Sequence, residues 1–568
     1  MDAQIALIPD MFNYSTLMEI PFFQRGYVWD EDLWGRFLED MEFIVKSRKS
    51  HFFGSLILKT GRERTEDDQF SVCRTVIDGQ QRLTTLVIFM KVLCLKKNEN
   101  SYFDMVFKLR GEGSALRLSM NDEAAFMQVM AATEPVKIES DSKIVKAFNY
   151  FVENLDASKL DLLTITSKAQ FVKINLSKEE DEQEIFDTIN SLGVNLTTSE
   201  LLKNYFFNKE SLGEYQDKWV SIFEKNEDVK DYWNRELDAG RRAMIDLFFD
   251  AFFQIIVQDQ TLNIKSEDSL LFLRRKRLAN SYKQLIKNYY HGDKETIIKK
   301  LREYALKFQE IFRPEECDRS ISHEFSPARL NVVIFGLKNT TLIPYVLYVA
   351  MEAPEKLNGI CEVLESYIMR RIIARESSKG YNKLFTSLIA NGVLDEALLK
   401  QRLLNTEDGV TSTPNDSALL QGFKQSKLTN LQSKGVIYLI ESKIRPVGSA
   451  LSLLSFNQYS LEHLLPKNWE RNWSSAKFKD EEARKSREYR LLTLGNLAII
   501  PQPLNASIRD GSWATKRKGK GKSKPGLAKC AAGLFTLQDV VAKEQWNEEE
   551  ILSRANWLFE NAKNIWKY

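Results

Sequence analysis

Histidine is scarce in this chain of 568 residues: His51, His291, His323 and His463 are all it has, so chemistry that needs an imidazole has four candidates. Cysteine is thin as well. Cys73, Cys94, Cys317, Cys361 and Cys530 are scattered, odd in number and never spaced Cys-x-x-Cys, which argues against structural zinc and a disulfide framework and for a reducing compartment. Long hydrophobic runs are missing. The most apolar stretch, Val332 to Met351, is interrupted by Lys338, Asn339, Thr340 and Thr341, too polar for a membrane span. The opening MDAQIALIPDMF has no basic segment leading into an apolar run, so no secretory leader is expected. Neither sign of charge dominates: 80 Lys and Arg face 78 Asp and Glu, a formal +2, which excludes a coat that is basic throughout but leaves room for a local patch. No fixed-period repeat is visible, so a solenoid is not supported. A cytoplasmic protein with no membrane partner is expected.

What is present reads as an ordinary soluble protein, 43% hydrophobic and 28% charged. The length implies two to four domains, and the pattern divides the chain in three. Residues 1–210 read as mixed α/β, 211–445 as mainly helical and 446–568 as a basic, motif-bearing end. In the first part, Phe53–Leu58 and Val72–Ile77 are short apolar and β-branched runs expected as strands, with further strands at Met105–Leu109 and Phe171–Ile174. Leu83, Leu86, Val87, Met90 and Leu93 fall at helical spacing. Thr197 and Glu200 form a capping box opening a helix through Phe207. In the middle, residues 246–256 and Tyr345–Leu364 are expected as strongly apolar helices. A final helix places Leu552, Ala555, Leu558, Phe559, Ala562, Ile565 and Trp566 on one face, with Asn547 and Glu550 placed to cap it.

Charge is concentrated near the carboxyl end. Residues 461–530 hold sixteen Lys and Arg against seven Asp and Glu. The run Lys516 to Pro525 has nothing apolar to bury and is expected as an exposed, flexible loop. Its Gly521-Lys522-Ser523 is not a phosphate-binding P-loop, because position 516, where that motif needs glycine, is Lys516. Upstream lie Glu462-His463-Leu464-Leu465-Pro466, then Leu494-Gly495-Asn496-Leu497, then Asn505. Phosphodiester hydrolysis needs a base, a divalent ion to neutralise the scissile phosphate, and cations to hold the backbone. His463 can be the base, since the unperturbed pKa of histidine lies near neutrality. Glu462 and Asn505 offer the hard oxygens that suit Mg²⁺ or another divalent metal. Lys516, Arg517, Lys518, Lys520 and Lys522 would contact DNA phosphates. One geometric tension is visible: neighbours on a regular strand face opposite ways, so Glu462 and His463 can share a site only at a strand end or turn.

This constellation resembles an HNH (ββα-metal) nuclease domain. The resemblance implies His463 as general base, Glu462 and Asn505 as metal ligands, and Asn496 as a brace holding the histidine loop through side-chain hydrogen bonds to backbone. It departs from the pattern in two places: Asn505 stands where histidine is commoner, and a charged insertion, Lys477 to Arg490, lengthens the gap before Asn496.

At the other end, Asp78-Gly79-Gln80-Gln81-Arg82 joins an expected strand to an expected helix, where backbone N–H groups favour anions and Arg82 can pair with phosphate. Read by itself this is a common turn, for which a plain connection is the commoner meaning. Together with Ile20-Pro21-Phe22-Phe23-Gln24-Arg25-Gly26-Tyr27-Val28-Trp29, Phe52-Phe53-Gly54-Ser55-Leu56 and Phe186 to Leu196, it is similar to the ParB-like N-terminal domain of GmrSD-type, modification-dependent restriction endonucleases. The resemblance covers both ends, about 300 residues. It implies that Gln24, Arg25, Asp78, Gly79, Gln81 and Arg82 line a site for a nucleoside triphosphate of unidentified base. The expected whole is an α+β multidomain protein: ParB-like sensor, helical middle, and C-terminal ββα-metal domain with flanking helices. Its expected work is antiphage cleavage of modified DNA, regulated by nucleotide binding or hydrolysis. The alternatives are a nucleotide-switched regulator whose HNH-like end grips DNA without cutting, and an RNA or repair nuclease indifferent to modification. Phe22, Phe23, Tyr27 and Trp29 are either walls of a modified-base pocket or, more commonly for such residues, core aromatics. Homo-oligomerisation is left open.

Overall fold

The computed structural model describes residues 2–568 apart from 13, 22, 23, 25, 61–69, 110–112, 177–197, 208–211, 238–241, 275–277, 407–409, 447–451, 474–479, 521–524 and 532. It is a mixed α+β protein that divides into two compact units, Met1–Leu212 and Gly213–Tyr568.

The first unit is built on a mixed six-stranded sheet. Its strands are β1 (Asp2–Leu7), β2 (Thr16–Glu19), β3 (His51–Thr60), β4 (Val72–Asp78), β5 (Leu116–Arg117) and β6 (Ala169–Leu176), in the spatial order β1-β6-β3-β4-β2-β5. The central strand β3 runs antiparallel to β4 and parallel to β6, and it buries Leu56, Ile57 and Leu58. Helix α1 (Glu31–Ser47) is capped by Asp30 and turns Trp34, Phe37, Met41 and Ile44 inward. Helix α2 (Gln80–Lys97) is covered on nearly every side, which explains its almost unbroken apolar run, LTTLVIFMKVLCL. Helix α3 (Lys143–Asn154) packs Phe151 against Phe89 of α2 at 5.5 Å between ring centres.

Two expectations change here. Met105–Leu109 is not a strand: residues Asn100–Phe107 form a helix, because Phe103, Val106 and Phe107 recur at helical spacing and together meet the core while Met105 is exposed. The Phe186–Leu196 segment and the Thr197 cap lie outside the described residues, and the helix after them covers Thr198–Phe206.

The second unit is helical around a small sheet. Helix α4 (Met244–Ile256) buries every residue except Asp246. The stretch Tyr345–Leu364 is two helices, Ile343–Glu352 and α5 (Leu357–Ile373). The break falls at Ala353-Pro354, since proline cannot supply the helical N–H and disfavours helical backbone in the residue before it. Helix α6 (Asn430–Ile444) packs beside α5. The two are joined by Arg329, whose Nε donates to Glu365 Oε2 at 2.7 Å and whose Nη2 donates to Leu439 O at 3.1 Å.

Strands β7 (Tyr459–His463) and β8 (Leu497–Pro501) pair antiparallel, with His463 opposite Leu497. Helices α7 (Gln502–Ile508) and α8 (Trp513–Lys518) follow. The last helix, α9 (Glu548–Ile565), is capped by Asn547, which accepts from Glu549 N and Glu550 N at 3.0 Å each. Its end returns to the helical core, where Trp566 Nε1 donates to Glu365 Oε1 at 2.9 Å. Among the described residues, no helix is long and apolar enough to cross a membrane.

Candidate active site

Strand β7 places Ser460 and Glu462 on one face and Leu461 and His463 on the other, and the chain leaves the strand directly after His463. Asn496 fixes that exit. It is fully buried, its Oδ1 accepts from Leu465 N at 2.8 Å, and its Nδ2 donates to Leu465 O at 2.8 Å and Leu491 O at 3.0 Å. Trp546 Nε1 also donates to Asn496 Oδ1, at 3.0 Å. Helix α7 brings Asn505 to β7, where its Nδ2 donates to Ser460 Oγ and Leu461 O, both at 3.0 Å. Because Ser460 and Glu462 share a face, Asn505 comes to the side of the strand that carries Glu462.

Glu462 is buried and ion-paired to Lys516 Nζ, which also donates to His463 O at 2.6 Å. Burial pushes the Glu462 carboxyl above its ordinary range, opposed by the Lys516 ammonium. Burial likewise draws Lys516 down, opposed by Glu462, with Asp510 adding further negative charge nearby. Asp510 is itself placed by Asn468 Nδ2, which donates to its Oδ2 at 3.1 Å. The His463 imidazole is pushed down to about 4, mainly by burial and then by the positive charges of Lys467 and Lys516. At neutral pH it therefore holds a free lone pair and can take a proton.

The basic run does not behave as a single exposed loop. Trp513 starts α8 and stacks on Trp546 at 5.6 Å, and this apolar anchor carries Lys516 inward until it is 1% exposed. Lys516 is therefore not a surface phosphate contact: its methylenes are packed and its ammonium is engaged by Glu462. Arg517 is half-buried and donates to Lys543 O at 2.6 Å. Lys518 and Lys520 are exposed, as a phosphate contact requires, and Lys522 lies outside the described residues. Sequence reasoning missed Lys516 as a partner of Glu462 and Trp546 as a partner of Asn496. The i, i+3 spacing of Trp513 and Lys516 was the available signal for the first.

A divalent cation would be held by Glu462 and by Asn505 through Oδ1. Glu462 supplies one buried carboxylate for such a group, and in this structure the Lys516 ammonium already engages it. No set of three or more His, Cys, Asp or Glu side chains is gathered as a metal cage among the described residues. A seat of one carboxylate and one amide oxygen is correspondingly sparse.

In the first unit, Asp78 and Arg82 pair at 3.1 Å, and Arg82 Nη1 donates to Phe53 O at 3.3 Å. Gln81 accepts from Val28 N at 2.9 Å and donates to Gly26 O at 3.1 Å, while Gln24 Nε2 donates to Val76 O at 2.7 Å and Ile77 O at 3.0 Å. These two amides tie Gln24 to β4 and Gly26 and Val28 to the start of α2. Gly79 caps α2 with φ of 100°, and a side chain there would collide with Leu56. Its glycine therefore answers to packing as well as to any ligand. Arg25, Phe22 and Phe23 lie outside the described residues. Tyr27 is core: its hydroxyl bonds Thr85 Oγ1 at 2.6 Å and accepts from Trp34 Nε1 at 2.8 Å. Trp29 is half-buried and packs on Phe37. The Tyr27 ring thus belongs to the core, while Trp29 keeps part of its surface open.

Gly54 is a further member of this site that the residue pattern did not single out. Its φ is 104°, and an added Cβ would collide with the Arg82 guanidinium. Gly54→Ala is expected to lower stability by about 1–3 kcal/mol through backbone strain and to displace Arg82 from Asp78. Thermal melting of the full chain, together with the Arg82→Ala variant, checks this.

Two family models match the chain: the N-terminal domain of GmrSD restriction endonucleases over residues 8–207, and their C-terminal domain over residues 413–561. The chain belongs to the GmrSD restriction endonuclease family. No curated protein matches it. Membership implies nuclease activity on DNA and a restriction role in phage defence. The C-terminal match contains Glu462, His463, Asn496, Asn505 and Lys516, and the N-terminal match contains the β4–α2 turn with Asp78 and Arg82. Both clusters described above thus lie within GmrSD domains, whereas the helices of residues 213–412 fall outside either match.

Proposed function

We propose that the second unit of this GmrSD chain cuts DNA with a metal-assisted HNH-type centre in which His463 is the general base and Glu462 and Asn505 are the metal ligands. The observation that carries the reading is the placement of His463 at the end of β7, on a loop locked by Asn496 and adjoining the face that holds Glu462 and Asn505. The succession β7, β8, α7 supports the ββα-metal assignment. When bound, a divalent ion supplies positive charge for the scissile phosphate and its leaving oxygen. His463 accepts the proton of the attacking water through its unprotonated ring nitrogen. Asn496 keeps the loop from rotating away. Lys518 and Lys520 contribute phosphate contacts, which hold the duplex without reading sequence.

In the first unit, the Asp78–Arg82 pair at the start of α2 supports a nucleoside triphosphate site: Arg82 pairs with phosphate, Asp78 serves the accompanying cation, and Gln24 and Gln81 shape the turn. Nucleotide and modified DNA act there as regulators, because a nuclease without such control would cut its host.

A cleavage panel tests the reading. Plasmids that are unmodified, hydroxymethylated, glucosylated or phosphorothioated are incubated with the protein, with and without Mg²⁺ and with each nucleoside triphosphate in turn. Metal-dependent scission confined to a modified substrate is expected. Equal scission of every substrate would remove modification dependence and leave a general nuclease. The pairing of Glu462 with Lys516 favours a second reading, a domain that grips DNA without cutting it, and binding with no scission under any condition would establish that one.

A further inference from the structure

Lys516 stands apart from the rest of its basic run. Its ammonium is engaged by Glu462 Oε1 and by His463 O at 2.6 Å, and its side chain is 1% exposed. Lys518 and Lys520, a turn or less away, face solvent. Surface lysines are found paired by chance, but a buried lysine is held by its partner, since an unpaired ammonium in that position would be strongly disfavoured. The partner here is the one carboxylate that the proposed metal seat provides on β7. An ammonium and a divalent cation next to the same buried carboxylate repel each other, and the low local polarity strengthens that repulsion.

We propose that Lys516 is the resident counter-cation of the metal seat: it neutralises Glu462 until a divalent ion displaces it, so that the metal-free centre is self-closed. This rests on the nuclease reading and adds to it a residue that sets metal affinity. Helix α8 ends at Lys518, and the chain then returns on itself through the pairing of Gly519 with Pro525.

The test is Mn²⁺ binding by the full chain, read by electron paramagnetic resonance as loss of the free-ion signal, with no activity measurement involved. Lys516→Met, which keeps the packed methylenes and removes the charge, is expected to bind Mn²⁺ at least tenfold more tightly than wild type in the absence of DNA. Lys516→Gln, whose amide can still donate to Glu462 and His463 O, serves if the Met variant does not fold, and it is expected to shift in the same direction. Unchanged or weaker binding by the variants overturns the proposal. If wild type also cuts DNA with Mn²⁺ in that case, the counter-cation role alone is lost. If wild type and variants neither bind Mn²⁺ nor cut, the nuclease reading falls with it.

Discussion

His463→Ala is expected to lower metal-dependent DNA cleavage by ~10²–10⁴-fold, the usual contribution of a positioned general base, while DNA binding and the melting transition stay close to wild type. The geometry supports so specific an effect. His463 is the last residue of β7 and is half-buried. Its backbone oxygen, and not its ring, receives Lys516 Nζ. Alanine keeps that backbone contact and removes only the ring. Initial rates of supercoiled plasmid nicking, with gel-shift binding and circular dichroism on the same preparation, separate chemistry from folding. Retention of wild-type rates would mean that another group takes the proton.

The same imidazole gives stability a pH dependence. In the unfolded chain a histidine titrates near 6.5, whereas in the fold burial holds His463 down at about 4. Between those values the unfolded chain takes up a proton that the folded chain does not, so this residue's contribution makes the metal-free protein more stable as pH rises from about 4 to about 6.5. His463→Ala should flatten that part of the profile, which denaturant melts at stepped pH would show.

The second large effect is expected at Asn496. Replacing it by alanine leaves Leu465 N, Leu465 O, Leu491 O and Trp546 Nε1 without their buried partner. An unsatisfied buried group usually costs ~1–3 kcal/mol, and because the four share one side chain a total of about 3–4 kcal/mol is expected. Cleavage should fall with it, because the loop leaving His463 loses its lock. Asn496→Asp separates the two roles. It keeps an acceptor for Leu465 N and Trp546 but puts a carboxylate against Leu465 O and Leu491 O. Chemical unfolding combined with cleavage rates measured well below the melting temperature checks both parts. A variant that melts early yet cuts at the wild-type rate when folded would limit Asn496 to stability.

Legibility in the sequence followed the range of the interactions. Strands β3, β4 and β6 and helices α2, α4 and α9 were readable because period and apolarity are local properties of the chain. The segment around Met105 misled because a five-residue apolar run suits a strand and a helix equally, and only the inward spacing of Phe103, Val106 and Phe107 decides. The break at Pro354 is a local signal, but the apolar runs on either side of it read as one continuous helix. Glu462, His463, Asn496 and Asn505 stood out by motif, and the structure brings Asn505 and Glu462 to one face of β7 and Asn496 to the loop after it. The position of Lys516 could not be read from composition. Five basic neighbours look alike until Trp513 anchors α8 and a carboxylate 54 positions away selects one of them. Gln24 and Gln81 were singled out as ligand contacts, yet their amides are engaged by backbone across 52 to 55 positions of sequence, a pairing that no local pattern encodes.

The most direct measurement is scission of supercoiled DNA across a Mn²⁺ titration by wild type and by Glu462→Gln, which preserves shape and removes the charge a divalent ion needs. A metal-assisted centre at Glu462 and His463 predicts scission by wild type that rises with Mn²⁺ and vanishes with chelator, and a Glu462→Gln titration that stays near zero until far higher metal. Scission that ignores chelator, or a Glu462→Gln protein that cuts at the wild-type rate and metal concentration, would place the chemistry elsewhere in the chain.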